Sequence, residues 1–182
     1  MPRLAPLDLE NLTPEQQAVA EAIISGPRGG LRGPFESWLR SPELAARAQA
    51  LGEHCRFGSS LPRDLSEFAI ILTGKHWRSQ FEFWAHARLA REAGLPEDII
   101  EAVRAGQLPV CRNAAQQAIH DLVTEYFATN RVAADTYARA LAELGERGLV
   151  DLVGIVGYYG LVSMTLNVFE VGLPAGQVEP LP

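Results

Sequence analysis

Cysteine is scarce in this chain: 182 residues contain two, Cys55 and Cys111, far apart and without a Cys-x-x-Cys spacing. That excludes a disulfide framework and a local dithiol redox motif, and leaves two structural free thiols as the expectation. Clustered positive charge is also missing. Sixteen Lys and Arg are scattered among 22 Asp and Glu, for a net charge of −6 and a pI near 5.2. A phosphate binder needs a basic face, so nucleic acid is not expected as a partner. Met1 to Leu12 is proline-punctuated and acidic, with no apolar run of signal-peptide length. The most apolar stretch, Leu149 to Leu166, carries Asp151, two tyrosines and three glycines. It reads as a buried helix rather than a membrane span, and a cytoplasmic location is the default expectation. No phosphate loop, dinucleotide fingerprint or Gly-x-Ser-x-Gly elbow is present, so Ser79 and Ser163 lack a nucleophile's context.

What is present is period-3.6 patterning almost throughout, with no run of alternating apolar and polar residues. The expected fold class is therefore all-α, one domain over residues 1–182 with extended tails at 1–12 and 175–182. Thr13-Pro14-Glu15-Gln16 begins a helix that ends at Gly26-Pro27, with Thr13 as cap and Gln16 closing a capping box. Arg28 to Phe35 holds three glycines and a proline and reads as a loop. Ser41-Pro42 starts a second helix, running to about Phe57; a third spans about Arg63 to Lys75 and a fourth about Ser79 to Ala93, with Gly94 past its end. A short helix follows Pro96 and ends at Gly106, Asn113 caps the next as far as Thr129, and another starts at Ala133. Arg147 to Phe169 forms the last long helix. The segments from Glu67 to Pro96 and from Asp151 to Pro174 echo one another, which raises an internal helical duplication.

Polar groups concentrate in one aromatic setting, from Lys75 to His86. Ser79, Glu82 and His86 stand at i, i+3 and i+7, one face of a helix, and Glu82 and His86 are four apart. Trp77, Phe81 and Trp84 would dry the surroundings, and drying raises a carboxylate pKa while lowering that of an imidazole. Such a pair suits proton transfer, although an i,i+4 Glu–His pair on a surface is also common. Glu67 is the test. On one continuous helix it would lie about 18 Å along the axis from Ser79. A break between Gly74 and Arg78 would fold the two helices together and return it towards His86. Glu67, His76, Glu82 and His86 are metal-ligand types, but neither His-Glu-x-x-His nor Glu-x-x-His occurs, so no metal is expected.

Glu67, eleven residues, then Ser79-x-x-Glu82-x-x-x-His86 resembles the register of the carboxymuconolactone decarboxylase family, which also contains the alkylhydroperoxidase D-type peroxidases. The peroxidase branch carries Glu, eleven residues, then Cys-x-x-Cys-x-x-x-His. The flanks are similar too, in Arg63 to Leu72, His86 to Leu95, Gly157-Tyr158-Tyr159 and Leu166 to Glu170. The resemblance covers about Phe35 to Pro174. It implies an all-α fold assembled as trimers or hexamers. With Ser79 and Glu82 at the cysteine positions, thiol peroxidase chemistry has neither its attacking nor its resolving group.

The decarboxylase branch is compatible. The resemblance then implies a cofactor-independent lyase acting on a small carboxylated lactone such as 4-carboxymuconolactone. Its acid–base group would be Glu67, Glu82 and His86, with His86 the first choice of proton donor and His76 a weaker candidate. Arg32, Arg56 and Arg78 are candidates for substrate carboxylates, chosen for charge and proximity to the motif. Trp77, Ser79 and Phe81 complete the expected substrate-binding set. Two rivals remain: a small-molecule binder that kept the fold without catalysis, and a redox enzyme using Cys55 or Cys111.

Overall fold

The computed structural model describes residues 2–182, and among them no strand occurs. The elements are α1 (Pro14–Ser25), α2 (Phe35–Trp38), α3 (Pro42–Glu53), a π-helical turn (His54–Gly58), α4 (Arg63–His76), α5 (Gln80–Glu92), α6 (Glu97–Ala105), α7 (Ala114–Thr129) and α8 (Ala134–Val168). Local chemistry sets most of the ends. The Thr13 hydroxyl accepts from the Gln16 N–H while the Gln16 side chain accepts from the Thr13 N–H, closing the expected capping box. Asn113 accepts from the Gln116 N–H and starts α7. Gly106 takes the left-handed conformation that ends α6.

α4 is the central element. Ten consecutive residues, Leu65 to Gly74, are buried, so it is covered on every side rather than along one stripe. α5, α7 and α8 pack around it. The shared core includes Phe68, Ile70, Ile71, Phe83, Ile99, Ile119, Leu152, Ile155 and Tyr159. α8 is long and apolar enough to cross a membrane by composition, yet half of its apolar window is buried inside the molecule. It is kinked at Gly145, whose φ of 67° and ψ of 171° are not helical. That kink is the expected boundary between the segments beginning at Ala133 and at Arg147.

Three local features differ from expectation. The second helix stops at Glu53 and continues as the π turn, a rare form that widens the helix by one residue. The glycine-rich loop ends in the short α2, where Phe35 and Trp38 are buried edge to face and Trp38 Nε1 donates to the Thr165 hydroxyl at 2.9 Å. The echoed segments take different forms: Glu67 to Pro96 spans two helices and their turn, whereas Asp151 to Pro174 is the end of α8 and an extended strand of chain. What they share is a Gly-Leu-Pro ending, not a supersecondary unit.

The chain after Gly172 lies on its own α5 and α6. Gln80 exchanges two hydrogen bonds with the Leu181 backbone, Trp84 Nε1 donates to the Gln177 side chain, and Leu181 is buried.

The π turn is fastened to α8 at both ends by Asp151. One carboxylate oxygen lies 3.0 Å from His54 Nε2, and the other accepts from the N–H and hydroxyl of Ser60, each at 2.7 Å. Burial would raise this carboxyl, but the Ser60 donors and His54 outweigh it and hold it at about 2, below the ordinary 3.8. The folded-state value is the depressed one, so its stabilisation is complete above pH 3.8 and disappears as pH falls towards about 2. Asp151→Asn should destabilise the fold at neutral pH by about 1–3 kcal/mol. Urea unfolding measured across that acid window should show a shallower loss of stability than in wild type; an unchanged slope would exclude Asp151 as the group responsible.

Candidate active site

α4 and α5 form a helical hairpin, and its turn is what assembles the cluster. α4 closes at His76, Arg78 adopts a φ of +51°, and the Ser79 N–H donates back to the Gly74 carbonyl. α5 packs closely on the end of α4 here: a Cβ placed on Gly74 would lie in van der Waals contact with the Phe83 backbone N at 3.4 Å. The chain therefore does break between Gly74 and Arg78, and Glu67 returns to His86.

The resulting geometry is a line of three groups. His86 Nδ1 lies 2.6 Å from Glu67 Oε2, and His86 Nε2 lies 3.8 Å from Glu82 Oε1. All three side chains are buried, at 3%, 5% and 5% exposure. The Tyr159 ring packs edge-on against the imidazole at 4.8 Å. With Glu67 accepting the Nδ1–H, any proton that moves on His86 moves at Nε2. This is the orienting logic of a buried carboxylate behind a catalytic histidine. Burial pushes the Glu82 carboxyl above its ordinary 4.5; His86, Arg56 and Arg28 oppose the shift and Glu67 adds to it. Glu82 is thus biased towards the neutral acid, a form able to donate a proton.

Glu82 and His86, but not Glu67, line a cavity of about 640 Å³. Its walls include Phe35, Phe81, Tyr158, Tyr159 and Val162, and its cationic lining includes Arg28, Arg32 and Arg56. Among the described residues, none of these three arginines forms an ion pair. Arg56 comes from the π turn and stands over Phe57, its Cζ 5.0 Å from the ring centroid. Size, aromatic walls and a few convergent polar groups are the features of a small-molecule site. The segment before α1, through Pro2, Leu4, Ala5 and Pro6, and the segment after α8, through Phe169 and Val171 to Pro174, also line the cavity. Arg3 ties these segments together through the Phe169 and Val168 carbonyls and the Glu170 carboxylate.

Of the expected site residues, the structure brings together Glu67, Glu82 and His86, and places Phe81, Arg32 and Arg56 in the cavity wall. It separates the others. His76 is exposed and stacks on Phe127 at 3.9 Å, bordering a different groove with His120 and Lys75. Arg78 is exposed, and its guanidinium donates to the Pro182 carbonyl. Trp77 is 39% exposed and its carbonyl accepts from Asn167. Ser79 is buried at the start of α5, its hydroxyl without a partner, and does not line the cavity. The reason is rotational. These four lie in and beside the turn, where each successive residue points in a new direction, and only the helical register from Phe81 onward faces the cavity.

Neither thiol lines the cavity. Burial raises Cys55 to about 11 and raises Cys111 above its ordinary 9.0, so both disfavour the reactive thiolate.

Sequence reasoning missed Arg28, Tyr158 and Tyr159 as wall residues. Tyr158 and Tyr159 were visible as part of the family-like C-terminal helix. Arg28, in a loop, had no distinguishing signal. The close approach of α3 makes their arrangement possible, because a Cβ at Gly52 would overlap both the Tyr158 hydroxyl and the Arg28 guanidinium.

No family model matches the sequence, and no curated protein matches it. Solved structures do. An uncharacterized peroxidase-related protein from a Silicibacter species superposes with a TM-score of 0.77 at 14% identity, covering 97% of this chain and 95% of that one. An alkylhydroperoxidase AhpD core protein from Ralstonia eutropha, also described as peroxidase-related, gives 0.78 at 12% identity over 96% and 93%. A debrominase solved in complex with 2,3,4-tribromopyrrole gives 0.71 at 13% identity over 93% and 90%. At these identities the likeness is one of fold, and the chain has the alkylhydroperoxidase D-like helical fold that its sequence resemblance implied.

Gly52→Ala should lower the melting temperature, at a cost of about 1–3 kcal/mol for forcing a methyl into filled space. Thermal denaturation beside Gly157→Ala, where a Cβ meets nothing within 4 Å, is the check. Equal melting temperatures would mean that Tyr158 and Arg28 do not hold these positions.

Proposed function

We propose that this protein is a cofactor-independent acid–base enzyme, a carboxy-lyase acting on a small carboxylated lactone of the 4-carboxymuconolactone type. The observation that carries the reading is the buried Glu67–His86–Glu82 line opening onto a cavity lined by arginines without acidic partners. In such a reaction the C–C bond to a ring carboxylate breaks and carbon dioxide leaves. Its electron pair passes through the conjugated C=C to the lactone carbonyl oxygen, and one proton is added at the far carbon of the resulting enolate. The arginines hold the remaining carboxylate and offset the developing oxyanion. His86 delivers the proton from Nε2, with Glu67 fixing the ring. Glu82 replenishes it after a small rotation or through a water, since 3.8 Å is longer than a hydrogen bond. That a debrominase of the same fold accommodates a five-membered heterocycle supports a substrate of that ring size here.

The test is turnover of 4-carboxymuconolactone, followed as loss of its carboxylate. His86→Ala should reduce kcat by about 10²–10⁴, the usual worth of a positioned general acid. Glu67→Gln should lower kcat with little change in KM, because it loosens the orientation of His86 and not the binding of substrate. If Glu82 acts as the neutral acid, the rate falls as pH rises through its elevated value, and Glu82→Gln removes that limb. A well-folded wild-type protein without turnover would discard the lyase reading and favour a binding protein built on the same cavity.

We further propose self-association into a homotrimer or homohexamer. Val150, Val153, Leu161, Met164 and Val168 form an exposed apolar stripe along α8. Sedimentation equilibrium should return a multiple of the 19.8 kDa chain mass, and Val153→Glu should shift it towards the monomer.

A further inference from the structure

Arg28 is a cation that the protein's own groups leave short of acceptors. Its Nε is buried without a hydrogen-bond partner. Among the described residues its Nη2 reaches only the Tyr158 hydroxyl, at a long 3.4 Å, and its Cζ lies 5.0 Å from the Phe35 ring centroid. No carboxylate pairs with it among the described residues, although a partly buried guanidinium is ordinarily matched by one. Tyr158 is buried to 3% exposure, and burial pushes its hydroxyl up to about 12, so it keeps its proton and remains a donor at every working pH. While the hydroxyl oxygen accepts from Arg28, its own hydrogen is free to be donated. Both residues line the cavity, and the Tyr158 ring sits one aromatic neighbour away from His86: Tyr158 to Tyr159 at 5.2 Å, Tyr159 to His86 at 4.8 Å.

We infer that Arg28 and Tyr158 form a carboxylate-binding subsite in the cavity wall, which seats a planar ring acid with its far edge towards Glu82 and His86. The two oxygens of a carboxylate match two donors side by side, one N–H from the guanidinium and the Tyr158 O–H. The Phe35 and Phe81 rings supply flat apolar walls for the ring itself. Gly52 is the residue that permits the arrangement, because any side chain there would displace both donors. The subsite rests on the proposed acid–base reading only for which end of the ligand reacts; its binding function stands without turnover.

The probe is furan-2-carboxylate, with furan-2-carboxamide and inorganic phosphate as comparison ligands, titrated calorimetrically into the full chain. Wild type should bind the carboxylate in preference to both. Arg28→Met should weaken carboxylate binding about tenfold to a hundredfold and leave the carboxamide unchanged, Arg28→Lys should recover part of the loss, and Tyr158→Phe should cost about three- to tenfold. Melting temperatures of the variants establish that each is folded, and Tyr158→Phe, which removes a single oxygen, decides the matter if Arg28→Met does not fold. Three results would each overturn the subsite: no wild-type binding at millimolar ligand, carboxylate affinity unchanged in Arg28→Met and Tyr158→Phe, or an equal loss for the carboxamide. Preference for phosphate would also overturn it, by pointing to a tetrahedral anion. Binding without turnover of 4-carboxymuconolactone would refute the lyase reading alone, and turnover with an affinity independent of Arg28 would refute the subsite alone.

Discussion

Burying a histidine between two carboxylates is the constraint around which this fold is arranged. An ionised group taken out of water costs several kcal/mol unless it is paired at close range. The 2.6 Å contact between Glu67 and His86 supplies that pairing, and it can exist only if α4 and α5 are folded against one another in one register. The left-handed Arg78 and the bond from the Ser79 N–H to the Gly74 carbonyl form the turn between them. Removal of either partner would leave a buried polar group without its hydrogen bond, so the hairpin and the cluster stabilise each other. Glu82 is the member left without a close partner. Its burial at 3.8 Å from the imidazole favours a neutral carboxyl facing the cavity, the feature on which the proposed proton transfer rests.

The cavity beside this cluster is assembled from parts with separate structural reasons. The glycine-rich loop and α2 bring Arg28, Arg32 and Phe35; the π turn brings Arg56; α8 brings the two tyrosines. Each part is fastened from behind. Asp151 anchors the ends of the π turn, Thr165 receives the Trp38 indole, and Gly52 lets α3 approach α8 closely enough for Arg28 to meet Tyr158. The cationic residues therefore surround the acid–base line without neutralising it. Two of these cations rest on aromatic faces, Arg28 on Phe35 and Arg56 on Phe57.

The segments flanking the helical body add to the cavity wall. Pro2 to Pro6 and the chain just after α8 are held to one another through Arg3 and to the body through Arg40, which donates to the Ala5 carbonyl. These segments have no secondary structure of their own. Their hydrogen bonds run to helix ends and side chains, so they take their shape from the body they cover.

Much of this was written locally. The Thr13 capping box, the proline starts, the glycine stops and the 3.6-residue period fix an all-helical chain, because each acts within one turn of backbone. The i,i+4 spacing of Glu82 and His86, and the eleven residues before Ser79, were enough to find the cluster, since both partners of each local pair travel on the same helix. Sequence proximity failed for His76, Trp77, Arg78 and Ser79, where a turn redirects consecutive side chains. It was silent on the meeting of Arg28 with Tyr158, which are 130 positions apart and come together where Gly52 leaves room for both side chains. The sequence by itself determined the helices and singled out Glu67, Glu82 and His86 as a candidate cluster. Tertiary packing alone decided that Glu67 would reach His86 and which arginines would face the cavity, because contacts between elements depend on how closely backbones approach, and no local periodicity encodes that.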